Sequence, residues 1–169
     1  WIKRSFDVPS EGLSSHSLSE EQRNVLYILG GFWMMDTTAN IIMSPEEKET
    51  LRKLLEEQEG VSISVYEGIR ELWYRNEDRQ SELRLLFLFN YKVTVSRVCF
   101  IHRRQGTMTK VLSVLEGYCK KNKVEQLLVQ SVETPEMANW CMKMGFTPDP
   151  NATILFDGFL MGDYKKQMI

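Results

Sequence analysis

The chain has 169 residues, 43% of them hydrophobic and 26% charged, which suits one well-packed α/β-sized domain. A formal net charge of -2 argues against holding nucleic acid by general electrostatic attraction, so nucleic acid is not expected as a partner of this domain alone. Cys99, Cys119 and Cys141 are odd in number and far apart, with no second ligand at metal spacing; neither a disulfide framework, a metal site nor a membrane span of roughly 20 apolar residues is indicated.

A reducing compartment, nucleus or cytosol, fits the free thiols. The start, Trp1-Ile2-Lys3-Arg4, has no signal-peptide shape, and its lack of Met suggests a domain excised from a longer protein. Residues 1–8 read as a strand and residues 9–17, with His16, as a Ser- and Gly-rich loop. Ser19-Glu20-Glu21-Gln22 carries a capping-box pattern ahead of Val25, Leu26 and Leu29, a short helix stopped by Gly30-Gly31.

Ser44-Pro45-Glu46-Glu47 marks a clear helix start: a hydroxyl for the N-cap, proline at the first helical position, and acids against the positive end of the dipole. Leu51, Leu54 and Leu55 form its buried stripe, and Gly60 follows its end. Val61, Ile63 and Val65 alternate as a strand, whereas Ile69, Leu72 and Trp73 fit a helical turn or an irregular link. Residues 76–81 form a charged loop. Residues 83–89 are apolar apart from Arg84, as in a strand covered on both faces. A turn near Asn90 leads to a second strand through Val93, Val95, Val98, Phe100 and Ile101, hairpinned to the first.

After a loop at residues 103–106, Met108, Val111, Leu112, Leu115, Tyr118 and Cys119 follow the helical period, the strongest such stripe in the sequence. Residues 124–129 read as a buried strand, Glu133-Thr134-Pro135-Glu136 opens another helix, and Gly145 ends it. This order makes a parallel βαβ crossover the natural topology. Residues 152–159 supply a last strand, with the terminal lysines in a solvated turn.

The chemistry concentrates in the loop Arg103-Arg104-Gln105-Gly106 before the long helix. Exposed N–H groups at a helix start, a favourable dipole, a glycine permitting close approach and two guanidinium groups suit a phosphate. A solvated turn is the competing reading. The lysines at 110, 120, 121 and 123 extend a basic strip with these arginines, which reads equally as a solvated helix face.

With the ending Trp140-Cys141-Met142-Lys143-Met144-Gly145-Phe146, the region 83–160 resembles the GNAT acetyltransferase superfamily, whose Arg/Gln-x-x-Gly-x-Gly/Ala loop joins a strand to a helix. The Arg-Arg-Gln-Gly loop and the Trp-x-x-x-x-Gly-Phe ending look like the acetyltransferase domains that follow PHD fingers in plant nuclear regulators. The resemblance implies one domain over residues 1–169, with a variable part at 1–80 and a cofactor-binding core at 81–160. It implies an α/β fold with a mixed central sheet flanked by helices, split in a V between strands near 93–101 and 124–130. Acetyl-CoA is the implied co-substrate, its pantetheine pairing to main chain at Val98, Cys99 and Phe100. Its pyrophosphate would lie on Gln105, Gly106, Thr107, Met108 and Thr109, aided by Arg103 and Arg104. His102 is read as a packing or phosphate-side residue.

In such enzymes a neutral amine attacks the thioester directly, with protein lysine, including histone lysine, as the implied acceptor class. A lysine near pKa 10.4 must first lose a proton, and Glu133 is the candidate base; a first-turn helix acid is its alternative role. Two departures bear on activity. Met108 stands where the loop usually has Gly or Ala, and Cys141 stands where many members have a tyrosine that protonates the thiolate. The second change removes an expected acid, and Cys141 is itself a candidate nucleophile, against the simpler reading of a buried structural cysteine. These departures, with the lack of an obvious carboxylate on the strand at 93–101, leave a catalytically inactive scaffold or protein-interaction module as the rival function.

Overall fold

The computed structural model describes residues 42–169. The expected strand at 1–8, the loop with His16 and the capped helix after Ser19 lie outside the described residues. Three helices and seven strands follow: α1 (Pro45–Glu59), β1 (Ser64–Glu67), β2 (Glu71–Arg75), β3 (Glu82–Leu88), β4 (Lys92–Cys99), α2 (Thr107–Lys121), β5 (Gln126–Val132), α3 (Pro135–Lys143), β6 (Thr147–Phe156) and β7 (Phe159–Gln167).

The capping box at Ser44 is complete: its side chain accepts the Glu47 N–H while the Glu47 carboxylate accepts the Ser44 N–H, and Gly60 ends α1 in the left-handed conformation. Leu51 and Leu55 bury the inner face of α1. On α2 the expected stripe is realised, with Val111, Leu112, Leu115, Tyr118 and Cys119 all buried. The two helices touch, and Lys121 Nζ bonds Glu47 Oε1 at 2.9 Å, so one member of the basic strip is neutralised by α1. Leu72, Tyr74, Leu83, Leu85, Phe87, Val93 and Val95 join the same core, and the Tyr118 ring meets Phe87 edge-on at 5.7 Å.

The seven described strands form one mixed sheet in the order β1-β2-β3-β4-β5-β7-β6. Four strands run as antiparallel neighbours from β1 to β4; β5 then lies parallel to β4 after the α2 crossover, and a β6–β7 hairpin completes the sheet through β7. Here α3 packs on β7, β5 and β6.

Several local expectations are corrected. Leu72 and Trp73 lie in β2, a strand, because Leu72 and Tyr74 face the core while Trp73 alternates outward. The preceding strand begins at Ser64 rather than Val61. The run at 83–89 is not covered on both faces. Leu83, Leu85 and Phe87 are buried, but Arg84 and Leu86 are half-buried, and Arg84 stacks over Trp73 while pairing with Glu71 at 2.6 Å. The single last strand at 152–159 is two strands, and its lysines belong to β7: Lys166 Nζ bonds Glu116 Oε1 at 2.6 Å and the Met144 carbonyl at 2.7 Å.

Candidate functional site

The sheet opens between β4 and β5. Their parallel pairing runs from Lys92↔Gln126 to Val95↔Val129 and goes no further. Both strands carry an irregularity where they part. In β4, Arg97 pairs with Arg84 and Val95 with Leu85, leaving Ser96 as an extra residue. In β5, Val129 pairs with Tyr164 and Val132 with Gly162, so three steps on β5 answer two on β7. Bulges bend a strand and sharpen its twist, which supplies a local cause for the divergence. Ser131, inside the β5 bulge, adopts φ 54° and donates its N–H to Asp163 Oδ1 at 2.9 Å.

The parted strands wall a cleft of about 1010 Å³, large enough for a ligand of cofactor size. Val98, Cys99 and Phe100 line one side, Gln130 to Val132 the other, and Arg103, Arg104, Gly106, Thr107, Met108 and Thr109 its end. His102, Glu133 and Trp140 line it as well. Gln105 does not: flanked by left-handed Arg104 (φ 64°) and Gly106 (φ 84°), it turns outward and is exposed.

Gly106 is the N-cap of α2 and offers no side-chain cap. The first intrahelical bond runs from the Lys110 N–H to the Gly106 carbonyl, so the N–H groups of residues 107–109 lack helical partners and face the N-terminal end, where the dipole favours an anion. A Cβ on Gly106 would meet nothing within 4 Å, so the approach is open. Thr107 is 2% exposed and its hydroxyl is turned inward, leaving its backbone N–H as the group suited to a ligand. Thr109 Oγ1 accepts the Trp140 indole N–H at 3.0 Å, which ties α2 to α3 at the cleft. Met108 is half-buried against the core, as its place on the apolar stripe implies, while still reaching the cleft wall.

Glu133 is exposed at the end of β5, just before the Thr134 N-cap of α3. Cys141 is elsewhere: it is fully buried on the inner face of α3, outside the cleft lining, and burial pushes its thiol up to about 12. That is the environment of a packing residue rather than of an activated thiol. Sequence reasoning missed Glu59. The last residue of α1 is 1% exposed, and its carboxylate accepts the N–H groups of Ile101 and His102 at 2.6 and 3.4 Å and the Thr107 hydroxyl at 3.4 Å. Only the unbroken run Glu56-Glu57-Gln58-Glu59 was visible in advance, and it looks like a solvated helix end. Among the described residues no cluster of His, Cys, Asp and Glu is placed to hold a metal, and no helix is long and apolar enough to cross a membrane.

The mixed sheet flanked by helices, parted between β4 and β5 before an uncapped helix start, is consistent with the GNAT architecture expected from the sequence. No protein-family model matches the sequence, and no curated protein matches it. Among solved structures the chain is similar to nourseothricin acetyltransferase, at 14% identity over 59% of this chain and 65% of that one with a TM-score of 0.44; it thus spans less than two thirds of that protein. It is also similar to Ard1 from Thermoplasma volcanium, at 10% identity over 75% of this chain and 95% of that one with a TM-score of 0.44. A GNAT-family acetyltransferase from Staphylococcus aureus Mu50 is similar at 13% identity over 75% and 81% of the two chains, with a TM-score of 0.41.

Proposed function

We propose that the protein is an acyl-CoA-dependent N-acyltransferase, with acetyl-CoA as donor and a protein lysine, such as a histone lysine, as acceptor. The observation that carries this reading is the parting of β4 and β5 in front of the uncapped α2 N-terminus, within one cleft. The N–H groups at 107–109, with Arg103 and Arg104, bind the pyrophosphate. Main-chain groups of Val98, Cys99 and Phe100, released from pairing with β5, hold the pantetheine as an added strand would, and a backbone N–H there stabilises the developing oxyanion. Bound acyl-CoA supplies an activated thioester whose thiolate, of pKa about 8.5, leaves without a strong acid. Glu133 takes the proton from the incoming amine. The described part of the variable segment, residues 42–80, contributes to the acceptor side, and the nucleus is the proposed location, on the resemblance alone.

A second reading is an acyl-CoA-binding scaffold without turnover, favoured by the burial of Cys141 where a leaving-group acid is commonly found. Calorimetric titration with acetyl-CoA, followed by an amine-acceptor screen, separates the two. Micromolar binding that is lost in Gly106→Trp, together with acylation of a lysine peptide, is the expected result. Binding without acylation of any amine selects the scaffold, and absence of binding by the unmutated protein removes both.

A further inference from the structure

Glu59 is a buried carboxylate with no cation in contact among the described residues. All of its observed partners are groups of the loop before α2 and of the helix start itself. Such burial is tolerated only where hydrogen bonds replace hydration, and here the two oxygens divide the task. Oε2 accepts the Ile101 N–H at 2.6 Å and the His102 N–H at 3.4 Å, holding the point where the chain leaves β4; Oε1 accepts the Thr107 hydroxyl at 3.4 Å, holding the first residue of α2. One side chain from α1 therefore pins both ends of the segment containing Arg103 to Gly106. That segment needs holding: Arg104 sits at φ 64°, a conformation costly for a residue with a Cβ, beside Gly106 at φ 84°. Gly106 gives the helix no side-chain cap of its own.

We propose that Glu59 is the positioning residue of the anion-binding loop, a cap supplied from another helix that fixes the loop in its binding form and turns its free N–H groups and arginines toward the cleft. This rests on the reading of the cleft as an acyl-CoA site. Glu59 touches no ligand itself; it acts through the backbone of residues 101–107. Because hydrogen bonding rather than charge is the active element, an amide in its place can still accept from Ile101 and donate to the Thr107 oxygen.

The test compares Glu59→Ala, Glu59→Asp and Glu59→Gln with the unmutated chain. CoA binding is measured by calorimetry, and S-acetylpantetheine, which lacks the pyrophosphate, is titrated by NMR. Glu59→Ala, or Glu59→Asp if the alanine variant does not fold, should weaken CoA at least tenfold while leaving S-acetylpantetheine within twofold, and Glu59→Gln should restore CoA to within threefold. Equal CoA affinity in all four proteins, or equal weakening of both ligands, overturns the positioning role. Failure of the unmutated chain to bind CoA overturns the acyl-CoA reading and the role that depends on it, a result distinct from either.

Discussion

Among the described glycines, Gly162 has the tightest surroundings. In β7 it adopts φ 133°, and a Cβ there would collide with the Ala152 carbonyl oxygen and stand 2.9 Å from the Thr153 Cα, both backbone atoms of the paired strand β6. Nothing flexible can yield. Gly162→Ala should therefore lower stability by about 3 kcal/mol through strain and overpacking, read as a lower urea midpoint at unchanged slope. The cysteines give a second check at this scale. Cys119 and Cys141 are fully buried, with burial pushing both thiols up to about 12, whereas Cys99 is half-buried beside the cleft. A thiol reagent at pH 8 should label Cys99 first in the native protein and reach the other two only on unfolding; rapid native labelling of Cys141 would contradict its packing role.

Among the elements, those with a strong local signal were readable in advance. The stripe from Met108 to Cys119 fixed both the length and the inner face of α2, and Ser44 with Glu47 defined the start of α1 to the residue. The loop before α2 was legible because two arginines and a glycine precede that stripe. What escaped depends on distant partners. Nothing local tells that Glu59 meets Ile101 across 42 positions of sequence, or that Lys165 and Lys166 stand in a strand rather than a solvated end. Lys166 joins three elements: from β7 it reaches Glu116 on α2 and the carbonyl of Met144 at the end of α3. Both carboxylate and amine are largely shielded, with side-chain exposures of 25% and 26%. Lys166→Met removes these charge-assisted bonds and should cost about 2 kcal/mol, detected as a lower melting temperature; an unchanged melting temperature would mark the contact as incidental.

For the whole molecule, one core carries several groups that burial keeps protonated. Desolvation raises the Cys119 and Cys141 thiols and the Tyr118 phenol, each to about 12. In the unfolded chain the thiols ionise near 8.5 and the phenol near 10, so above those values the unfolded state binds fewer protons than the native state. The linked stabilisation is fully present below about pH 8.5 and is lost as pH rises toward 12. Urea midpoints measured from pH 8 to 11 should therefore fall progressively above pH 9; a flat profile would mean that these groups are solvated in the native state.

The order of strands also bears on how the chain comes together during synthesis. β6 leaves the ribosome before β7, yet among the described residues β7 lies between it and the rest of the sheet, since β6 pairs there with β7 and β7 in turn with β5. Among the described residues emerging β6 finds no ladder to join, and β5 lacks its antiparallel neighbour there until residues 159–167 arrive. The hairpin then docks as a unit, so the wall of the cleft formed by the bulged end of β5 acquires its support last, and nascent chains stalled before Gly162 would keep an exposed sheet edge that invites recognition by chaperones.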